Sequence, residues 1–392
     1  MSLIPRWLGK KGFVALLSFI VIFLLLVILL AMEYRNRNLR LMAEIAKISG
    51  HKDFTAFSQW KIENRDSNLF PLRSREEIDA FLMKNAGRIA LGDDEEVLSE
   101  DSLKIITDYD QEFLEVVRTA SGREPIDADK LLSNIYNIAG VRSRLVSLID
   151  SARLRDQANT SGKLLSSALE ANENLNGGGF LIGELVRMSI ISEFMKQIRF
   201  QHPYTDDQLS TEDLELLLRT LNRLESPKIA IKRAIQAEVL ASIELIYGDK
   251  SKFFPQGVWG YLYEPDVHFY LSYQKQLLTD LEEVGTLEEL TRMGKVPWYA
   301  IYTSALGMGD PGNDRAFTTA RYTESMLEYH TDFLKILLHY RKTGQPYDGD
   351  LSNSSKVTVG EIGDDQILRL EYAGTAPPSG TDDPMSREFV LP

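Results

Sequence analysis

Residues 12–32 read GFVALLSFIVIFLLLVILLAM, and this stretch decides how the rest of the chain is placed. It contains no charged residue and no proline, and Ser18 is its one hydroxyl. A helix rises about 1.5 Å per residue, so the stretch would span roughly 30 Å, the thickness of the hydrocarbon core of a bilayer. It therefore predicts a transmembrane helix, with residues 1–11 on one side of the membrane and the bulk of the chain on the other.

A cleaved signal peptide is the main alternative to a permanent anchor. Its apolar core is usually about 7–15 residues long and is followed by small residues before the cleavage site. Here the apolar run is longer, and Leu29, Leu30 and Ala31 make a poor cleavage site. We therefore favour an uncleaved signal-anchor.

The charges that flank the anchor do not decide its orientation, because the cations before and after it are nearly balanced. Arg6, Lys10 and Lys11 precede the anchor, and Arg35, Arg37 and Arg40 follow it. Because a short N-terminal tail normally stays in the cytoplasm, we expect residues 1–11 to be cytoplasmic and the bulk extracytoplasmic. The expected location is the inner (cytoplasmic) membrane, crossed once, with a periplasmic domain.

Composition narrows the possible partners of the remaining chain. Residues 41–392 carry 38 basic and 56 acidic side chains, a net charge of −18. Nucleic-acid binding needs a concentrated basic face, which this part of the sequence lacks. The same charge argues against the domain lying flat on anionic lipid. The absence of cysteine excludes disulfides, thiolate metal sites and cysteine nucleophiles.

Hydrophobic periodicity is helical over most of the chain. We predict a mainly α protein: an antiparallel helical bundle or solenoid-like array with a small C-terminal β-hairpin appendage. The expected organisation is a transmembrane helix over 12–32, a stalk and linker over 33–73, an α-helical domain over 74–346 and a β tail over 347–392. Helices are expected near 33–50, 74–85, 100–120, 127–154, 180–200, 210–224, 227–247, 276–293 and 313–342.

Two patterns within the helical region are specific enough to name. Leu131, Ile135, Ile138, Arg142, Leu145 and Ile149 alternate spacings of four and three, which is typical of a coiled-coil seam. Residues 180–200 are apolar on most faces and predict a buried central helix, in which Glu184 and Arg187 can pair. In the tail, residues 356–362 and 366–372 predict a hairpin, and residues 387–391 a third strand.

An aromatic segment, residues 253–273, is the first candidate binding site. It combines eight aromatic residues with interspersed glycine and proline, and its candidate ligand or partner residues are Trp259, Tyr261, Tyr263 and His268. Such a loop can form a platform for a sugar ring or a peptide. More often an aromatic-rich irregular segment packs as a plug over a helical core, which is the interpretation we favour.

The last long helix carries the second candidate site. Glu324, Glu328 and Asp332 recur every four residues, with His330 and His339 nearby. Carboxylates beside histidine can hold a metal or perform acid–base chemistry. Because neither Glu-x-x-His on two helices nor His-Glu-x-x-His occurs, we interpret the three acids as a solvated face. We predict no metal, no cofactor and no catalytic residue, since no nucleophile-elbow, phosphate-loop or dinucleotide motif occurs either.

Two family resemblances follow from particular residues. Lys11-Gly12-Phe13 before an apolar helix resembles the prepilin-peptidase site of type IV pilins and pseudopilins, which are cleaved after the glycine. The fifth mature residue would be Leu17 where that family usually has glutamate; the K-type pseudopilins of type II secretion lack the glutamate and carry a large helical domain.

The second resemblance concerns the end of the chain. Three parts of the chain resemble uncharacterised single-pass helical proteins of bacterial envelopes. These parts are residues 134–200, a helix ending Tyr340-Arg341-Lys342-Thr343-Gly344-Gln345-Pro346, and a tail ending Leu391-Pro392. The likeness implies architecture and location, and no chemistry.

The sequence therefore favours a membrane-anchored extracytoplasmic structural or interaction protein of the cell envelope. Its partners would be the membrane, through residues 12–32, and a protein of the envelope. The alternatives are a pseudopilin-like subunit of a secretion machine and, from a different class, an envelope hydrolase with a site in residues 253–340.

The two anchoring hypotheses predict different N-termini for the protein isolated from membranes. An uncleaved anchor leaves Met1 or Ser2 as the first residue, because nothing processes the chain. Mass spectrometry of the intact protein measures this directly. An N-terminus at Phe13, especially a methylated one, would contradict the uncleaved anchor and favour the pseudopilin hypothesis.

Overall fold

The computed structural model describes residues 9–51, 56–60, 63, 75–84, 108–109, 111–116, 119, 145, 161–174, 181–200, 210–247, 263–283, 312–362, 365–374 and 386–391. This part of the chain is mainly helical. The helices are α1 (Lys10–Ser49), α2 (Arg75–Lys84), α3 (Ser161–Asn174), α4 (Leu181–Phe200), α5 (Thr211–Arg223), α6 (Pro227–Tyr247), α7 (Glu264–Glu283) and α8 (Gly312–Thr343). Three strands follow: β1 (Ser355–Ile362), β2 (Asp365–Tyr372) and β3 (Ser386–Leu391).

The structure divides into two compact units, each built from two segments of the chain. Unit 1 comprises Met1–Asp53 and Val239–Asn313, and unit 2 comprises Phe54–Glu238 and Asp314–Pro392. The predicted boundaries at residues 33, 74 and 347 stay predictions. The seam helix over 127–154 lies outside the described residues except for Leu145, which is fully buried in the core of unit 2.

One unbroken helix, α1, carries the apolar run and continues beyond it, as the sequence predicts. Among the described helices it is long and apolar enough to cross a membrane, and none of the residues in its most apolar window is buried. The helix ends at Gly50, which adopts the left-handed conformation (φ 71°) that favours glycine.

The second half of α1 packs against α7 in unit 1. Every seventh residue of α1 from Ala31 is buried, namely Ala31, Asn38 and Ile45. Tyr34, Leu41 and Ile48, three residues further along in each case, are half-buried. This is the spacing of a heptad seam. Asn38 contacts Glu264 and His268 whereas Glu44 pairs with Lys275, so the two helices run parallel, not antiparallel.

The start of α7 corrects the sequence analysis, which placed residues up to 273 in an irregular segment and began a helix at 276. The helix begins at Glu264. Its buried positions, listed in order, are Glu264, Asp266, Val267, Tyr270, Leu271, Gln274 and Leu278, and they follow a helical period. Pro265 fits because a proline in the first turn removes no hydrogen bond. This helical period is hard to recognise in the sequence, because aromatic residues also occupy positions of α7 that are not buried.

Unit 2 has a core of buried apolar side chains from α3, α4, α5, α8 and β2. Helix α5 begins as predicted at Ser210, whose hydroxyl accepts a hydrogen bond from the Asp213 amide at 3.1 Å while the Asp213 carboxylate accepts one from the Ser210 amide at 3.3 Å. This reciprocal pair is a capping box. Pro227 opens α6, and Gly344, at φ 66°, ends α8.

The β tail forms a three-stranded antiparallel sheet in the order β1-β2-β3. Leu370 of β2 is fully buried in the core of unit 2, and its carbonyl accepts a hydrogen bond from the Tyr329 hydroxyl of α8 at 3.1 Å. The expected hairpin therefore leans on a helix, as an isolated hairpin is marginal in water.

Ile45 tests whether the α1–α7 seam stabilises unit 1. It is fully buried, so Ile45→Ala should lower the free energy of unfolding by about 2–5 kcal/mol. Leu39→Ala is the matched control, because Leu39 lies on the same helix and is 50% exposed. The measurement is denaturant unfolding of the full chain in detergent. Equal effects of the two substitutions would show that the seam is not a core.

Candidate functional site

The candidate residues from the sequence lie in different parts of the structure. Trp259 and Tyr261 lie outside the described residues. Tyr263 directly precedes α7, and His268 lies on α7, both in unit 1. Glu324 and Glu328 lie on α8 in unit 2.

His268 belongs to a polar cluster in unit 1 that the sequence analysis did not anticipate. The Nδ1 of His268 lies 3.1 Å from Oδ1 of Asn38. Nδ2 of Asn38 donates to Oε2 of Glu264 at 2.6 Å and to the Tyr247 hydroxyl at 3.0 Å. The Tyr247 hydroxyl in turn donates to Oε2 of Glu264 at 3.1 Å. One buried amide thus joins α1, α6 and α7.

Burial dominates the electrostatics of this cluster. Desolvation raises the pKa of Glu264, against hydrogen bonds from Tyr247 and Asn38 that lower it. Desolvation also raises the pKa of Tyr247. The pKa of His268 is lowered, first by burial and then by the charge of Arg37. Perturbed pKa values cluster at functional sites, but ion-pair and hydrogen-bond networks of purely structural role produce them as well.

An open cleft of about 240 Å³ in unit 2 contains the acidic stripe of α8. Its walls come from α8, from the turn between α5 and α6, and from Ser352, which precedes β1. Glu324, Glu328 and Asp332 all line it, together with Lys335. The cleft gathers the second set of candidate residues in one place.

The interpretation of these three acids as a solvated face is wrong for Asp332 and holds for Glu328. Asp332 is only 1% exposed, Glu324 is half-buried, and Glu328 is exposed. The sequence pattern alone gave no sign of this difference, because the burial comes from the chain segments that cover α8.

Each of the three carboxylates accepts a hydrogen bond from a serine on another segment, at 2.6 Å in every case. Ser226 donates to Glu324, Ser354 donates to Glu328 and Ser352 donates to Asp332. Asp332 also accepts from the Ser352 amide at 2.8 Å and from Lys335 at 3.0 Å. The acids therefore fasten α8 to the α5–α6 turn and to the segment before β1.

The two histidines near this stripe have packing roles. His330 is fully buried, and its Nδ1 donates to the carbonyl of Met326 at 2.7 Å. The ring of His339 meets the ring of Tyr347 edge-on, with centroids 5.6 Å apart. Neither contact brings the imidazole to a carboxylate of the cleft.

Arg187 holds a buried ion pair with two carboxylates in unit 2. Its guanidinium donates to Glu184 at 2.8 Å, as the sequence spacing predicts, and also to Glu173 of α3 at 2.6 Å. Burial lowers the pKa of Arg187, but the two carboxylates more than offset it, so the pKa is raised. Glu173 lies 14 positions away on another helix, so no local pattern identified it.

Glu238 of α6 is a carboxylate whose pKa is raised by burial. Burial raises its pKa to about 7, against the hydrogen bond from the Leu181 amide that lowers it. That bond is 2.7 Å long and satisfies a backbone donor at the first residue of α4. Glu238 on α6 therefore caps a neighbouring helix.

Among the residues that the structure describes, no group of three or more His, Asp or Glu side chains is placed to hold a metal ion. No family model matches the chain, and no curated protein and no solved structure matches it either.

Glu238 gives the structure a predictable pH dependence. The Glu238 carboxyl group binds its proton more tightly in the folded protein than in the unfolded chain, where its pKa is about 4.5. The contribution of Glu238 to the free energy of unfolding therefore falls as the pH rises from about 4.5 to about 7. Glu238→Gln keeps the oxygen that accepts from Leu181 and cannot ionise. It should raise the free energy of unfolding by about 2–4 kcal/mol at pH 8 and change it little below pH 5.

Denaturant unfolding of the full chain at both pH values measures this difference. Glu212→Gln is the control, because Glu212 is exposed on α5. An unchanged pH slope in Glu238→Gln would contradict the assignment of a raised pKa.

Proposed function

We propose that this chain is a membrane-anchored structural or interaction protein of the cell envelope. It crosses the inner membrane once through α1, with its N-terminus in the cytoplasm and its bulk outside. The observation that carries the proposal is the division of α1: its apolar half is exposed, and its second half packs in the seam with α7. An exposed run of this apolarity is costly in water and favourable in lipid.

The use of the candidate side chains supports a structural role over a catalytic one. Glu324, Glu328 and Asp332 fasten α8 to neighbouring segments, and His268 fastens α7 to α1. These polar groups act as ties between elements of the fold. The function is then to present a folded, anchored surface to a protein partner of the envelope. A stoichiometric partner co-purified from detergent-solubilised membranes after cross-linking would support this.

The pseudopilin-like alternative has one observation in its favour. Gly12 and Phe13 lie in the first turn of α1, and both residues are exposed. The mass of the N-terminus separates this alternative from a permanent anchor. The hydrolase alternative, with a site in residues 253–340, predicts a purified protein that turns over a small molecule without a partner.

The orientation of the anchor is tested by reporter fusions in cells. A reporter that works only outside the cytoplasm should be active when fused after Pro392, because we place the bulk of the chain outside. The control is the same reporter fused before Met1, which should be inactive. The opposite pattern would reverse the orientation and remove the extracytoplasmic assignment.

A further inference from the structure

The register of α1 and α7 determines which part of unit 1 comes nearest to the membrane. Asn38 contacts Glu264 and His268, in the first turns of α7. Asn38 lies six positions after Met32, the last residue of the apolar run, which is about 9 Å along a helix. The polar headgroup layer extends roughly 5–8 Å beyond the hydrocarbon core on each side. Given the membrane anchor proposed above, α7 begins at the outer edge of the headgroup layer.

No spacer separates unit 1 from the apolar run. Ala31, inside that run, is already 4% exposed, so protein packing begins before the run ends. The ring of Tyr34 meets His268 edge-on at 5.6 Å between centroids, and Tyr263 directly precedes α7. Tyrosine is enriched at this depth in membrane proteins, because one end of its side chain is apolar and the other polar.

Three arginines lie on α1 just beyond the apolar run, at about 4.5, 7.5 and 12 Å along the helix from Met32. Arg35, Arg37 and Arg40 are all exposed. At 100° per residue, Arg37 and Arg40 lie about 60° apart on one face of the helix, and Arg35 lies on the opposite side. We call them the arginine collar. Arg35 acts electrostatically on Glu264, and Arg37 acts on His268, so two members flank the polar cluster. Glu33, which pairs with Arg37 at 2.7 Å, is the exposed acid of this segment.

The segment that contains the arginine collar is positively charged, although the rest of the chain after it is negatively charged. Residues 33–40 carry three arginines and one glutamate, whereas residues 41–392 carry a net charge of −18. A guanidinium presents a fork of donors that matches the oxygens of a phosphate. Positive charge at the depth of the lipid phosphates, next to an apolar span, is complementary to anionic headgroups.

We propose that the arginine collar binds the headgroups of anionic lipids and seats the start of α7 against the membrane surface. The partner is the lipid layer itself. This deepens the proposed membrane anchoring by naming which lipids the anchored protein selects and which residues select them.

The test uses the full chain in proteoliposomes, with spin-labelled phosphatidylglycerol and phosphatidylcholine as probes of the lipid next to the protein. The wild type should prefer phosphatidylglycerol. The triple variant Arg35→Gln/Arg37→Gln/Arg40→Gln should reduce that preference by about fivefold or more, since one cation near the surface attracts anionic lipid by about that factor. The matched control Lys10→Gln/Lys11→Gln neutralises cations at the other end of the apolar run and should leave the contribution of the collar in place.

Two further measurements keep the outcomes distinct. Raising the salt to about 0.5 M should weaken the preference of the wild type, because exposed charges are screened. Resistance to alkaline extraction should persist in every variant, and its loss in the wild type would overturn the membrane anchor itself. A triple variant that keeps the full preference, or a wild-type preference insensitive to salt, would overturn the arginine collar as the lipid-binding surface.

Discussion

The buried amide of Asn38 is the interaction on which the arrangement of unit 1 depends. It is fully buried, yet its nitrogen and oxygen reach Glu264, Tyr247 and His268 on two other helices. A buried amide without partners costs on the order of 1–3 kcal/mol, and a buried carboxylate without them costs more. Sliding α1 by one turn against α7 would break the contacts of Asn38 with Glu264 and His268, and Glu264 would lose its shortest hydrogen bond while keeping the one from Tyr247. The polar contact therefore selects one register among several that the apolar seam alone would accept.

This register links the apolar half of α1 to the folded half. The helix is continuous from Lys10 to Ser49, which corresponds to about 60 Å at 1.5 Å per residue. The environment of its side chains changes near Ala31, from exposed and apolar to a buried seam, while the backbone hydrogen bonds continue. Since no loop lies between the two halves, in the proposed membrane anchor the depth of the apolar run in the bilayer also sets the distance of Asn38 and of the start of α7 from the membrane surface.

Local signals were sufficient to predict much of the secondary structure. Ser210, Pro227 and Gly344 act within one or two turns of the helix ends that they define, and the hairpin pattern of the tail has a period of two. Burial of polar groups was not predictable in this way. Ser352 lies 20 positions from Asp332, and Glu264 lies 226 positions from Asn38, so the contacts that bury these groups are tertiary.

The sequence contains one signal for the Asn38 cluster. Ala31, Asn38 and Ile45 are spaced by seven, and Tyr34, Leu41 and Ile48 follow three residues later. This pattern predicts a seam that needs a partner helix, whereas the sequence analysis assigns residues 33–50 to a stalk without a partner helix. The partner, α7, was hidden because its first ten residues belong to the aromatic segment 253–273.

The acids of α8 and the arginines of α1 have different roles in this chain. On α8, three carboxylates one turn apart would repel each other, but serine hydroxyls and Lys335 donate to them, so the repulsion is offset where the elements are joined. On α1, the arginine collar concentrates positive charge beside the apolar run, within a chain whose remainder is strongly negative. An anionic surface repels the acidic bulk and attracts the collar. The proposed binding of the collar to anionic headgroups and the proposed insertion of the apolar run therefore both place the same end of α1 at the membrane.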